Sequence, residues 1–326
     1  GKGSAAGCTQ DALRAALRTV QKRGRGTVGF DCGTRPVTIA VTRPLVIEGG
    51  GSAAYVVDGR GTVTLDGRKR SGLFVLPDAE GLTMTFRRLR MVDARSRTQG
   101  AAVHGGWRNR LVIEDCTFVG NATTSAATTF DGGGAVYVHE GSATIRRSTF
   151  ERNTASNGGA VQNTIGALTI EDSVFRRNRS TVRGSGGGGG AVYSDAGSLT
   201  MRRSQVLGNT AELQGGGLFL FNAKDRRTRI EDSTIADNRV TDAPNAFGGG
   251  IRSGAGPVEL LRSRVLRNRS AGQGGGLYNA DDARVTMTGC TFTGNRAEQG
   301  GAVFKVSGEV KLNRTTFSGN SPANVL

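Results

Sequence analysis

The chain has only two histidines, His104 and His139, and both fall in short segments just after a glycine-rich corner. Counting from those corners puts one outward-facing residue at each equivalent position: His104, Tyr137, Gln162, Tyr193, Phe219, Arg252, Tyr278 and Phe304. Two residues further on lie His139 and Asp195. These side chains suit β-elimination on a uronic-acid polymer, which needs a base near C5 and a cation against the substrate carboxylate. His104, Tyr137, His139, Tyr193 and Arg252 are therefore the candidate catalytic set, with Asp195, Phe219, Tyr278 and Phe304 as candidate sugar contacts. A glycosidase would need two carboxylates ~5–9.5 Å apart, and Asp195 has only Asp131 or Glu140 to turn to. The plain alternative for each residue is an exposed strand side chain. Asp281-Asp282 and Asp225 are the acidic loop residues that a Ca²⁺ ion would use; otherwise no cofactor is expected. No P-loop, nucleophile elbow or zinc-ligand spacing is present.

The elements that must carry these residues are set by a repeat. A small polar residue recurs as Cys116, Ser148, Ser173, Ser204, Ser233, Ser263, Cys290 and Thr315, at intervals of 25 to 32 residues. Five residues after each comes an Asn: 121, 153, 178, 209, 238, 268, 295 and 320. Three residues before it the side chain is always Ile, Met or Leu; two after it is Phe, Val or Ile. Such a period, with only short strands per copy, is one turn of a parallel β-helix. Stacked turns lie ~4.8 Å apart, so each recurring type becomes a column, and the Asn column becomes an amide ladder at a turn. Asn121, Asn178 and Asn268 also match the glycosylation pattern, but the Asn recurs with or without the hydroxyl residue. The pairs before the small polar residue alternate Glu114-Asp115, Arg146-Arg147, Glu171-Asp172, Arg202-Arg203 and Glu231-Asp232, so opposite charges should stack and hold register. Loops 122–131, 179–190 and 239–247 are the long ones and are expected to leave from one edge.

The segments Gly133-Gly134-Ala135-Val136, Gly158-Gly159-Ala160-Val161, Gly189-Gly190-Ala191-Val192 and Gly300-Gly301-Ala302-Val303 alternate with Phe118-Val-Gly-Asn121, Phe150-Glu-Arg-Asn153, Phe175-Arg-Arg-Asn178 and their later equivalents. Over roughly residues 100–320 this resembles the GGA(I/L/V) and FxxN repeats of polymorphic outer-membrane proteins and related secreted bacterial β-helix proteins. The opening resembles that of pectate-lyase-like β-helix proteins, in which a capping helix precedes irregular coils. The resemblance implies an all-β, single-stranded, right-handed parallel β-helix. It implies fold strongly and function weakly, because the motif residues are structural ones.

One domain over 1–326 is expected. It comprises a capping helix within 8–24, irregular coils over 25–99, and regular coils from 100 on, about eleven coils in all. Leu13, Ala16, Leu17 and Val20 form the helix's apolar stripe, with Thr9 as N-cap. Cys8 and Cys32 are expected to form one disulfide, which suits an oxidising compartment. Cys116 and Cys290, in one column ~29 Å apart, cannot pair. The chain opens on Gly1 rather than Met, and a removed leader is expected.

The formal charge is +16, and 37 of the 43 basic residues are Arg. That balance points to an acidic polysaccharide or anionic cell surface, or to a compositional habit. Nucleic acid is not expected, for want of a binding motif and of aromatics to stack bases. No apolar run could insert in a membrane. The first functional reading is a secreted or cell-surface bacterial protein that binds an acidic glycan through the outward aromatic and Arg face. The alternative is a polysaccharide lyase or glycoside hydrolase on the same face, and the third reading is an adhesin or stalk segment.

Overall fold

Each repeat closes into one turn of a solenoid, and the turns stack in register. The computed structural model describes residues 5–125, 131–181, 187–242 and 245–322. Among them the strands form three parallel sheets that run along the molecule. The widest has 20 strands in two arms; Ala54–Asp66 and Thr83–Val92 serve both arms, so each arm stacks eleven levels. A ten-stranded sheet includes Val103–Trp107, Val136–His139 and Val192–Asp195; a seven-stranded sheet of two-residue strands completes the turn.

The expected columns are the observed ones. Ile113, Ile145, Ile170 and Met201 are register partners, as are Phe118, Phe150 and Phe175. The three Phe rings stack with centroids 4.6 and 4.7 Å apart. Burying these columns away from water supplies the main stabilisation, at ~25 cal/mol per Å² of apolar surface.

The corners explain the polar residues. The residue before the small polar one adopts a left-handed conformation in coil after coil, for example Asp115 (φ 54°), Arg147 (47°) and Asp172 (49°). The next backbone N–H then donates to the small residue one coil on: Cys116 N to Ser148 Oγ (3.1 Å), Ser148 N to Ser173 Oγ (3.1 Å). The Asn column is a continuous ladder in which each Nδ2 donates to the next Oδ1, as from Asn178 to Asn209 (2.9 Å) and Asn209 to Asn238 (2.9 Å). Asn121, Asn178 and Asn268 are buried in it, which removes them as sugar acceptors in the folded chain.

Each glycine of the paired corner has its own reason. Gly189 sits at φ +71°, where L side chains are strained, and a Cβ on Gly190 would lie 2.1 Å from the Gly216 carbonyl of the next coil.

The charge alternation forms ion pairs. Arg147 grips Asp115 (2.7 Å), Arg203 grips Asp172 (2.8 Å) and Arg262 grips Asp232 (2.8 Å). The column begins earlier than the repeat suggests, with Arg88 on Asp58. The three long loops all leave from the seven-stranded sheet, after Ala122–Thr123, Arg179–Ser180 and Arg239–Val240. Their tips, 126–130, 182–186 and 243–244, lie outside the described residues.

At the N-terminal end, helix α1 (Gln10–Lys22) starts where the Thr9 hydroxyl accepts the Ala12 N–H (3.2 Å). It buries Leu13, Leu17 and Val20 against the first coil. Cys8 and Cys32 are joined in a disulfide. Cys116 and Cys290 are free and buried, and burial pushes the Cys116 thiol up to about 12. At the other end the inward column is open: Leu312 is 45% exposed, whereas its partners Ile145 to Met287 are fully buried.

Candidate functional site

The ten-stranded sheet positions the candidate residues, because parallel register puts equivalent residues one rung apart. His104 and Tyr137 are direct register partners. Their rings stack with centroids 5.6 Å apart at 15°. His139, two residues along the Tyr137 strand, brings its ring 6.0 Å from Tyr137. These three line a cleft of about 340 Å³ with Asp78, Gln99 and Gly106. Asp78 is fixed by accepting the Trp107 N–H (2.9 Å).

The environments of the two stacked groups pull them apart. Burial holds the His104 imidazole below its ordinary value against the opposing pull of Asp78, so it stays neutral and able to accept a proton. Burial raises the Tyr137 phenol, so it keeps its proton, although a hydrogen bond with Thr164 works the other way. A neutral imidazole and a protonated phenol are the forms in which a base and an acid can exchange protons with a bound molecule.

Beside this cleft lies a larger hollow of about 450 Å³, which shares His104 and Gln99 with it. Arg43, Arg70 and Arg95 line it. Arg95 is tied to the carbonyls of Ala94 (2.9 Å) and Gly120 (2.7 Å). Arg43 and Arg70 have no carboxylate partner among the described residues. His104 thus stands at the junction of a cationic hollow and an acid–base cleft.

The other expected site residues are not part of this open site. Tyr193, Phe219, Arg252 and Tyr278, expected on an exposed face, are all less than 9% exposed, and so is Tyr137 (3%), which differs from them in that it still lines the cleft beside His104. Tyr193 stacks on Phe219 (4.7 Å), and its hydroxyl lies 3.4 Å from Asp195 Oδ2. Arg252 lies over the rings of Phe219 (4.9 Å) and Phe221 (5.4 Å), bonds Gln214 (3.0 Å) and pairs with Asp281. Tyr278 is sandwiched between Phe247 (4.7 Å) and Phe304 (6.0 Å). The correction has a physical cause. Gln214 and Phe247, in the connections that follow the seven-stranded sheet, reach Arg252 and Tyr278 and seal the column.

The acidic candidates are likewise engaged. Ser125 donates to Asp131 (2.7 Å), and Glu140 pairs with Arg108 (3.3 Å). Burial raises the Asp195 carboxyl. Among the described residues no three His, Cys, Asp or Glu side chains converge as a metal-ligand set.

Asp78, Arg43, Arg70 and Arg95 were missed by the sequence reading. They lie in the irregular N-terminal coils, where no fixed offset marks equivalent positions. The one usable signal was local: Asp78 falls two residues beyond Leu76, whose register partner is Gly105, next to His104.

Fold and site together define a parallel β-helix with a cleft lined by His104, Tyr137 and His139 on its ten-stranded sheet. The chain belongs to the family described as the right handed beta helix region, whose model matches residues 47–226. Residues 289–304 also match the Chlamydia polymorphic membrane protein repeat.

Similar solved structures include the periplasmic alginate epimerase AlgG, at 13% identity and TM-score 0.39, covering 95% of this chain and 82% of that one. The Azotobacter vinelandii mannuronan C-5 epimerase AlgE6 A-module matches at 14% identity and TM-score 0.43, covering 97% and 94%. The Dettilon tailspike protein matches at 13% and TM-score 0.42, covering 96% and 60%. No curated protein matches significantly. No helix among the described residues is long and apolar enough to cross a membrane.

Proposed function

We propose that this is a secreted or surface-exposed protein that holds an acidic polysaccharide across its N-terminal coils and performs proton transfer on it. The observation that carries the reading is the junction itself: His104 borders both the Arg-lined hollow and the cleft with Tyr137 and His139. A uronate whose carboxylate met Arg43 and Arg70 would have its C5 hydrogen directed toward His104. His104 takes that proton, and the C5–H electrons form the C4–C5 double bond. The C4–O4 bond breaks, and O4 takes the proton of Tyr137. His139, 37% exposed, lines the same cleft. If C5 is instead reprotonated on the face opposite His104, by the Tyr137 hydroxyl and before O4 leaves, the outcome is epimerisation. The disulfide supports an oxidising compartment.

The test is incubation with pectate, alginate, chondroitin and hyaluronan, following ultraviolet absorbance of the unsaturated product and the stereochemistry at C5. Turnover of one polymer is expected, and His104→Gln or Tyr137→Phe should lower it by ~10²-fold or more. Salt-sensitive binding without turnover or inversion on any polymer would leave a binding protein and remove the proton-transfer reading.

A further inference from the structure

The repeat stacks charge above charge from coil to coil, and along its corners the two signs are opposite. Arg147, Arg203 and Arg262 each meet an Asp one coil away, Arg267 meets Asp237 (2.8 Å), and Arg229 meets Glu259 (3.2 Å). Where Arg152 and Arg176 come into adjacent coils, Glu151 bridges them.

The seven-stranded sheet breaks this rule near its C-terminal end. Arg239 is the register partner of Arg269, and Arg269 of Arg296. All three side chains are exposed. Among the described residues none pairs with a carboxylate; Arg239 has only a 3.4 Å bond to the Thr210 hydroxyl. Their backbones stand one rung, ~4.8 Å, apart, and like charges directly opposite on neighbouring strands destabilise. A chain that sets opposite charges one above another along its corner columns from Asp58 to Arg262 keeps three guanidinium groups in file here.

We propose that Arg239, Arg269 and Arg296 form a ladder that binds a linear anionic polysaccharide lying along the solenoid axis. Guanidinium groups suit carboxylate and sulfate oxygens because they pair with two at once. The neighbouring outward positions in this sheet, Thr154, Arg179 and Thr210, offer no aromatic ring on which a base could stack, which favours a polysaccharide over a nucleic acid. The ladder lies at the opposite end of the solenoid from the His104 cleft and stands whether or not that cleft does chemistry.

Binding is measured on the full chain carrying His104→Gln, so that no turnover consumes the probe, with polygalacturonate and a single-stranded DNA of matched charge. The Arg239→Gln/Arg269→Gln/Arg296→Gln triple variant should bind polygalacturonate at least about tenfold more weakly and with a flatter salt dependence. Arg43→Gln/Arg70→Gln should leave that ladder-dependent loss intact. Arg269→Gln alone should raise Tm at low salt, because it relieves the like-charge file, and polygalacturonate should raise Tm less in this variant than in its parent. Unchanged affinity in the triple variant, or a lower Tm for Arg269→Gln, overturns the proposal. Tighter ladder-dependent binding of the DNA overturns the choice of polysaccharide.

Discussion

Asn209 shows what one position contributes to a stacked fold. Its Oδ1 accepts from Asn178 N (2.8 Å) and Asn178 Nδ2 (2.9 Å), and its Nδ2 donates to the Phe175 carbonyl (3.0 Å) and to Asn238 Oδ1 (2.9 Å). It is fully buried, so no water would replace those partners. Asn209→Ala should destabilise by ~3 kcal/mol or more, since each buried group left unpaired costs ~1–3 kcal/mol. Chemical denaturation read by far-ultraviolet circular dichroism checks this; a cost under about 1 kcal/mol would mean the ladder is decorative.

At the cleft, the residue-scale prediction concerns pH. Burial lowers His104, so its proton-accepting form persists into more acid solution than an ordinary imidazole's, ~6.5. The acid limb of kcat/KM should therefore fall at a pH below that value, and Asp78→Asn should move it lower still, because Asp78 favours the charged ring. An acid limb above the ordinary imidazole value would assign the base to another group. The Asn and small-polar columns were readable because their offset never varies. The roles of Asp78, Arg43 and Arg70 were not, because irregular coils give a sequence no ruler.

Among the elements, the paired-glycine corner carries the tightest constraint. The first glycine supplies the turn, and the second lets adjacent coils approach backbone to backbone. Gly190→Ala would push a methyl to 2.1 Å from the Gly216 carbonyl and 2.7 Å from the Thr210 carbonyl. Backbone must move to accept it, at a cost of ~3 kcal/mol or more. Calorimetry should show the loss, and an unchanged Tm would mean that the corner yields easily. The helix cap was legible from its stripe, its N-cap and its place before the first coil. The burial of Tyr137, Tyr193, Phe219, Arg252 and Tyr278 was not. Strand alternation tells which way a side chain points, but Gln214 and Phe247, which cover two of them, come from connections whose lengths differ from coil to coil.

For the whole molecule, stability is close to a sum over coils and their interfaces, and the corner charges make those interfaces alternate. Removing residues 154–178, one coil, would bring Arg147 against Arg203. Removing 154–209, two coils, would bring Arg147 against Asp232. The two-coil deletion, though shorter, should keep the higher Tm at low salt, with the gap closing as salt screens the repulsion. The reverse order would show that corner charges do not govern stacking. Eight of the eleven levels of the wide sheet follow the period read from the sequence, because each copy carries its own column set and needs only its neighbours to fold; the first three belong to the irregular N-terminal coils.

That alternation also bears on inheritance. A solenoid of this kind lengthens when a stretch of its gene is copied in tandem, and the corner tolerates such copying unevenly. A lone duplicated turn arrives with a corner that matches its neighbour in sign, whereas a duplicated doublet arrives already balanced. Descendants of this chain should therefore differ in length by even numbers of turns.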